Sequence, residues 1–272
     1  MLIKKWDKLP DIMKTEEVRP YYEILRKKNF SLFFKRLFDI VVSLLMLIIL
    51  SPIFLILAII IKIESKGPVF YRQERITQYG KKFRIFKFRT MVNNADKMGS
   101  HVTVKGDARV TRVGKFIRKC RIDELAQLID VFRGTLTFVG TRPEAVKYVE
   151  KYTPVMWATL LLPAGVTSEA SIYYKDEAEL LDGAQNPDET YVNEVLPDKM
   201  YFNLKELKKS GFWHDIKVMF MTVFAVLGKD YKSEIDEPID GLQTCSEKNK
   251  EKENIKEKSE NSSLNVEDKE GN

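Results

Sequence analysis

One stretch constrains the fold of this chain more than any other: an uncharged, apolar run from Ile40 to Ile61. As an α-helix, a run of this length would rise roughly 33 Å, against a bilayer hydrocarbon core of about 30 Å. The run starts too far from Met1, and is too long, to be the apolar part of a cleaved signal peptide. A single transmembrane helix is therefore the first interpretation.

Two features of the run favour a different path. Ser51-Pro52 lies at its centre, where proline removes one amide donor and a nearby serine hydroxyl can satisfy the freed carbonyl. Basic residues also flank both ends, although the positive-inside rule expects one basic end and one poor end. The nearest are Lys35, Arg36, Lys62 and Lys66. The residues alone leave two alternatives open: a spanning helix, and a hairpin that breaks at Ser51-Pro52 and returns to the same face.

Composition narrows the class of protein. The chain has 272 residues, 44% of them apolar, and a net charge of +6. Two cysteines and two histidines give neither a disulfide framework nor a zinc site, so a reducing, cytoplasmic setting is expected. The positive charge suits nucleic acid, anionic lipid or a phosphorylated substrate. Beside an apolar anchor, the membrane surface is the leading partner.

The segments around the apolar run differ in character. Residues 1–34 have mixed charge and two prolines, which fits either short amphipathic pieces on lipid headgroups or a loosely ordered arm. We assign 35–66 to the membrane segment. Residues 67–228 combine strand and helix patterns, which predicts an α/β mixed domain, mostly helical with a small sheet. From Lys229 to Asn272 the chain becomes rich in Lys, Glu, Asn and Ser, which predicts a disordered tail.

Two short strands are predicted near the start of this domain, at 69–71 and 83–91, and a buried strand is predicted later in it, at 136–139. The second strand, which contains Lys87 and Arg89, slips in its alternation, and this places basic groups on both faces of an otherwise buried strand unless a bulge intervenes. Buried or half-buried cations need anionic partners, from the protein or from a substrate. The alternative is that both are exposed edge residues.

Asp123-Glu124 is the candidate catalytic pair. Leu125, Leu128 and Phe132 follow helical spacing, so the two carboxylates are expected in the first turn of a helix that ends at Gly134. Acidic residues are common there because they complement the helix dipole. The surrounding cations favour a phosphate-handling site, in which carboxylates hold a divalent metal and arginine binds phosphate oxygens. These cations are Lys87, Arg89, Arg118, Lys119, Arg121 and Arg142.

Several short motifs occur in a characteristic order: Lys35-Arg36-Leu37-Phe38-Asp39, Ser51-Pro52, Gly67-Pro68-Val69-Phe70, Gln73-Glu74-Arg75, Lys87-Phe88-Arg89-Thr90-Met91, Asp107-Ala108-Arg109-Val110-Thr111, Asp123-Glu124-Leu125-Ala126-Gln127-Leu128 and Gly140-Thr141-Arg142-Pro143. In them the chain resembles the bacterial sugar transferase family, monotopic phosphoglycosyl transferases that start capsule, exopolysaccharide and glycoprotein glycan assembly. Ala126 and Thr141 stand where that family commonly has proline.

The resemblance implies an enzyme of the cytoplasmic membrane whose catalytic domain faces the cytoplasm. It implies a re-entrant helix broken at Ser51 and Pro52. The expected reaction transfers a sugar phosphate from a UDP-sugar to undecaprenyl phosphate and releases UMP. Asp123 matches the nucleophile and Glu124 its partner, and both are the expected ligands of Mg²⁺. The residues expected to bind substrate are Lys87, Arg89, Arg118, Arg142 and Pro143.

Other functions stay open at this point. An inactive, membrane-anchored scaffold of polysaccharide assembly would use Asp123-Glu124 only as a helix cap. Nucleic-acid binding is not expected, because neither a groove-fitting basic helix nor stacking aromatics on a basic face stands out. A second copy of the chain and other assembly enzymes remain open as partners, and the residues do not identify the sugar.

Overall fold

The structure is a computed structural model that describes residues 3–93, 95, 107–177, 181, 185–231, 235 and 238–244. Within them the chain is mostly helical with two small sheets, which confirms the α/β mixed class. The α-helices are α1 (Arg19–Lys27), α2 (Asn29–Ile49), α3 (Ser51–Glu64), α4 (Arg112–Lys119), α5 (Leu128–Arg133), α6 (Val146–Val149), α7 (Glu169–Tyr173), α8 (Pro187–Thr190), α9 (Leu196–Lys209) and α10 (Phe212–Val226). The strands are β1 (Phe70–Thr77), β2 (Lys81–Phe88), β3 (Leu136–Val139) and β4 (Ala164–Thr167). Short 3-10 helices cover Trp6–Lys8, Asp11–Met13, Gln78–Gly80, Ile122–Gln127 and Pro154–Leu161, and a π-helical turn covers Tyr191–Val195.

The first sheet is an antiparallel hairpin of β1 and β2, with Phe70 opposite Phe88. It is longer than predicted at its turn end, because the polar residues 72–75 of β1 pair with β2 and the last two residues of β1, Ile76 and Thr77, are buried. It is shorter at the other end. Arg89 lies one residue beyond β2, so the predicted strand 83–91 ends too late.

The second sheet pairs β3 and β4 in parallel, and all four residues of β3 are buried, as predicted for this strand. Two glycines let the strand ends approach. A Cβ on Gly165 would lie 2.2 Å from backbone atoms of Gly140. This close packing fixes the start of the loop that carries Arg142.

The apolar run forms two helices rather than one. No single helix in the described part of the chain is long and apolar enough to cross a bilayer, whereas α2 and α3 pass that test together with a bend of 60° between them. Pro52 has no amide hydrogen to donate to the carbonyl of Ile48, four residues earlier. The Ser51 hydroxyl donates to that carbonyl instead, at 2.8 Å. The sequence-based expectation for this serine is confirmed.

A buried polar cluster joins α2 to the domain; we call Lys35, Asp39, Thr137 and Asp215 the Lys35 cluster. Lys35 and Asp215 form an ion pair, and Lys35 Nζ donates to the carbonyl of Val139 at 2.7 Å. Asp39 accepts a hydrogen bond from Thr137 Oγ1 at 2.7 Å. The four side chains come from α2, β3 and α10, so the cluster fixes the start of the bent helix pair against the sheet.

The segments outside the predicted domain also pack on it. Leu9, Met13, Tyr22 and Leu25 are buried in the largest hydrophobic cluster, so neither alternative for residues 1–34 describes this packing. Leu242, which falls in the predicted disordered tail, is 4% exposed and belongs to the same cluster. The ordered chain therefore extends past Lys229, and residues 245–272 of that tail lie outside the described residues.

Candidate active site

Asp123 and Glu124 occupy the first turn of the 3-10 helix Ile122–Gln127, which continues into α5. The prediction that they begin a helix ending at Gly134 is confirmed, with a 3-10 first segment. The preceding residue, Arg121, has left-handed backbone angles with φ 53°. This sharp entry separates α4 from the carboxylates and turns the short helix towards β2.

Glu124 is clamped by two cations from other elements. Arg142, in the loop after β3, donates to both carboxylate oxygens, with Nη2 to Oε1 at 2.6 Å and Nη1 to Oε2 at 3.4 Å. Lys87 on β2 donates to Oε1 at 3.0 Å. We call Asp123, Glu124, Lys87 and Arg142 the Glu124 cluster. Its members come from three separate stretches of the chain.

The clamp controls the charge of Glu124. Burial alone would raise the pKa of this carboxyl, but Arg142 and Lys87 outweigh it and hold the pKa well below its usual range. The pKa of Arg142 is raised, chiefly by Glu124. Burial lowers the pKa of Lys87, while the nearby carboxylates oppose that shift. Glu124 is therefore ionised across the physiological pH range.

Asp123 has a different environment. Burial raises its pKa most, the charge of Glu124 raises it further, and Lys87 and Arg118 lower it. In the described part of the chain its carboxylate accepts no hydrogen bond from another side chain, and it is half-buried rather than enclosed. Asp123 is thus the carboxylate that stays available to a ligand.

A helix-capping role does not account for Glu124. Capping would place the carboxylates on the free amides of their own helix. Glu124 instead bonds to side chains of β2 and of the loop after β3. Three distant segments converge on one carboxylate, and its neighbour has no side-chain hydrogen-bond partner in the described part of the chain, which is an arrangement suited to chemistry on an anionic substrate.

Comparison with known proteins assigns the family. The model of the family described as bacterial sugar transferase matches residues 30–229. The chain belongs to this family. The family assignment made from the motifs is confirmed.

Among curated relatives, the UDP-glucose:undecaprenyl-phosphate glucose-1-phosphate transferase of Klebsiella pneumoniae is 37% identical over 200 residues, 71% of this chain and 40% of the relative. The UDP-N-acetylgalactosamine-undecaprenyl-phosphate N-acetylgalactosaminephosphotransferase of Aeromonas hydrophila is 33% identical over 72% of this chain and 44% of the relative. A UDP-glucose:undecaprenyl-phosphate glucose-1-phosphate transferase of Caulobacter vibrioides is 33% identical over 72% of this chain and 70% of the relative. The match with the first two spans less than half of their length.

Two other predicted substrate-binding residues, Arg118 and Pro143, lie beside the Glu124 cluster. Arg118, at the end of α4, lies close enough to Asp123 to lower its pKa and donates from Nε to Thr90 Oγ1 at 2.8 Å. Pro143 is buried beside Arg142 and lines a cavity next to it. Both residues therefore lie near the candidate pair.

Arg89 lies elsewhere, at the C-terminal end of α3. Its Nη2 donates to the carbonyl of Ser65 at 2.6 Å and to the Ser65 hydroxyl at 2.8 Å, and its Nη1 donates to the carbonyl of Lys66 at 3.2 Å. It is 6% exposed. The partner of this buried cation is thus the end of a helix, where carbonyls lack intrahelical partners, and its role as a substrate ligand stays a prediction.

Sequence reasoning missed residues behind Arg142. Glu144 is buried and accepts hydrogen bonds from Tyr191 Oη at 2.7 Å and from Lys199 Nζ at 3.4 Å. Lys199 also donates to Glu177 at 2.8 Å. Both glutamates raise the pKa of Arg142. The sequence offered one signal for these residues, the position of Glu144 directly after the Arg-Pro motif. Lys199 and Tyr191 gave none, because they follow that motif by about fifty residues.

Proposed function

We propose that the chain transfers a sugar phosphate from a UDP-sugar to undecaprenyl phosphate, with release of UMP. The names of the relatives support this proposal, because each specifies a UDP-sugar donor and the undecaprenyl phosphate acceptor. The observation that carries it for this chain is the Glu124 cluster. It combines one free carboxylate with a second that two cations hold ionised.

In the proposed reaction Asp123 is the nucleophile. A carboxylate oxygen forms a bond to the phosphorus that bears the sugar, and the bond from that phosphorus to the bridging oxygen breaks, so that UMP leaves with the electron pair. An oxygen of undecaprenyl phosphate then attacks the same phosphorus. The bond to Asp123 breaks and the carboxylate is restored. The first step needs the Asp123 carboxylate unprotonated, and the second step releases that carboxylate as the leaving group.

The cations give the reaction its geometry and charge. Glu124 holds both Lys87 and Arg142, and Lys87 also lies close enough to Asp123 to lower its pKa. Their remaining hydrogens can bind phosphoryl oxygens, whose charge redistributes as the phosphorus is transferred. Glu124 therefore acts on its neighbours, as the anchor that keeps both cations in place. Arg118 adds a further positive charge close enough to Asp123 to lower its pKa.

Mg²⁺ is the proposed cofactor, with Asp123 and Glu124 as its protein ligands. The described residues contain no group of three or more acidic, His or Cys side chains suited to a metal ion, so a site made wholly from protein ligands is not indicated there. Mg²⁺ commonly uses only one or two carboxylates with substrate phosphates and water. Asp123 fits that pattern directly, whereas Glu124 would offer the lone pairs that Arg142 and Lys87 leave unused. When bound, the ion would neutralise charge on the diphosphate and on departing UMP.

We further propose that α2 and α3 enter the cytoplasmic membrane and return to the same face. Both ends of the pair are bonded to one domain, through the Lys35 cluster at α2 and Arg89 at α3. Between these ends the helices expose a large apolar surface, which a monomeric soluble protein rarely does. Its most exposed members include Leu45, Ile48, Ile49, Leu55, Ile56 and Ile63.

Cysteine labelling tests this topology. Single cysteines at Lys27 and Lys66, both exposed, would be introduced after Cys120 and Cys245 are replaced by serine. We expect an impermeant thiol reagent to modify both positions from the cytoplasmic side of the membrane. Modification from opposite sides would mean that the apolar run crosses the bilayer.

UMP release tests the reaction and identifies the donor. The purified protein in detergent would be mixed with undecaprenyl phosphate, Mg²⁺ and a panel of UDP-sugars that includes glucose, galactose and their N-acetylated amino forms. We expect UMP with at least one donor, and no UMP after chelation of the metal. No release with any donor, from a folded sample that retains its lipid, would contradict the proposal.

A further inference from the structure

A narrow cavity of about 20 Å³ adjoins the Glu124 cluster. A space of this size has room for roughly one water-sized group. Its polar lining includes three cations and one amide, whose N–H groups are hydrogen-bond donors. The lining residues are Arg75, Ile85, Lys87, Gln127, Arg142 and Pro143. A cavity rich in donors and positive charge suits one anionic oxygen.

The side-chain amide of Gln127 is a buried donor without an acceptor among the described residues. Its side chain is 2% exposed, and its Nε2 has no hydrogen-bond partner among the described residues. A buried donor without an acceptor costs about 1–3 kcal/mol, so such groups are rare unless a ligand or water completes them. The amide sits four residues after Asp123, on the same short helix.

The positive charge of Arg75 is not neutralised by an ion pair in the described part of the chain. Its Nε and Nη2 donate to the neutral Oε1 of Gln73, at 3.3 and 2.9 Å. The described residues give it no ion-pair partner within 4.0 Å, and Glu144, whose pKa it lowers, already accepts from Tyr191 and Lys199. A guanidinium has five N–H groups, so donors remain for a ligand.

We propose that Arg75 and Gln127 form a subsite for one phosphoryl oxygen of a substrate, next to the phosphate-facing side of Lys87 and Arg142. The inference rests on the proposed function and adds two binding residues to it. Arginine and an amide N–H are a suitable pair, because the first supplies charge and the second supplies direction. The oxygen belongs either to the donor's diphosphate or to the phosphate of the lipid acceptor, and the experiment separates these sources.

The test compares Arg75→Met and Gln127→Glu with Arg84→Met, a matched control whose side chain is exposed on β2. Gln127→Glu keeps the shape of the side chain but replaces the amide donor with a negative oxygen. Thermal unfolding would first establish that all three proteins fold. The dissociation constants of UDP and of uridine, and the KM values of both substrates, would then be measured.

If the oxygen comes from the donor, both site variants bind UDP roughly tenfold or more weakly, bind uridine unchanged and raise the donor KM. If it comes from the lipid, the KM of undecaprenyl phosphate rises instead. The subsite would be overturned if the wild type turned over and both site variants had the same dissociation constants and KM values as Arg84→Met. That result would leave the proposed function intact. Absence of turnover in the wild type itself would be the failure of the proposed function.

Discussion

The Lys35 cluster and the Glu124 cluster use the same chemistry in opposite ways. Both place a lysine against a carboxylate in a partly or fully buried setting. In the Lys35 cluster every charged side chain is less than 10% exposed and bonded to a protein partner. In the Glu124 cluster one carboxylate is bonded to two cations and the other is left free. A closed cluster holds the fold together, whereas an open one can hold a substrate.

The largest effect is expected at the open carboxylate. Asp123→Asn keeps the shape of the side chain but replaces a nucleophilic carboxylate with an amide. We expect UMP release to fall on the order of 10⁴-fold or more, with the thermal unfolding midpoint unchanged or slightly raised, because an unpaired, partly buried charge is removed. Steady-state assays beside thermal unfolding measure both. Turnover close to that of the wild type would mean that the nucleophile is elsewhere.

Substitution in the Lys35 cluster should lower the free energy of unfolding. Lys35→Met leaves the buried carboxylate of Asp215 without its cation, and removing one member of such a pair commonly costs about 3–5 kcal/mol. Lys27→Met, on the exposed end of α1, is the matched control and should change stability by about 0.5 kcal/mol or less. Unfolding midpoints of the detergent-solubilised proteins give the comparison. Equal midpoints for the two variants would contradict the structural role of the Lys35 cluster.

The smallest effect is a shift in pH dependence. Lys87 lowers the pKa of Asp123 against the dominant effect of burial, so Lys87→Met should raise that pKa further. A protonated Asp123 is not a nucleophile, and activity is lost as the pH falls through its pKa. The acidic limb of the kcat/KM profile should therefore move to higher pH.

Lys82→Met, on the exposed part of β2, is the control for this shift. Its acidic limb should coincide with that of the wild type. A Lys87→Met profile that is lower but not displaced would assign Lys87 to substrate binding alone. Since Glu124 is held ionised to low pH, its own titration should not contribute to this limb.

The parts of the fold that follow local rules could be predicted from the sequence. Ser51-Pro52 predicted the break, and the structure gives its mechanism in the bond from the serine hydroxyl to Ile48. The apolar run from Leu136 to Val139 predicted a buried strand. The spacing after Asp123 predicted the helix up to Gly134. Each of these depends on residues within a few positions of one another.

Features set by long-range contacts could not be predicted in this way. Arg89 looked like Lys87 in the sequence, yet one meets the end of α3 and the other meets Glu124, a difference decided by where β2 ends. Residues 1–34 carried no signal that Met13 and Tyr22 would enter the core, because two of the elements that their helices pack against, Pro154–Leu161 and α9, follow more than a hundred residues later. Lys199 and Gln127 likewise could not be singled out from the sequence, because the fold alone brings them close to Arg142.

The central claim is that Asp123 carries the sugar phosphate between the two substrates. Intact-protein mass spectrometry after mixing the protein with a turnover-competent UDP-sugar and Mg²⁺, without lipid acceptor, tests it most directly. The account predicts an added mass of one sugar phosphate, located on the peptide that contains Asp123, absent from Asp123→Asn and discharged by undecaprenyl phosphate. An adduct of that mass persisting in Asp123→Asn, or UMP formation that requires the lipid and leaves no adduct, would contradict it.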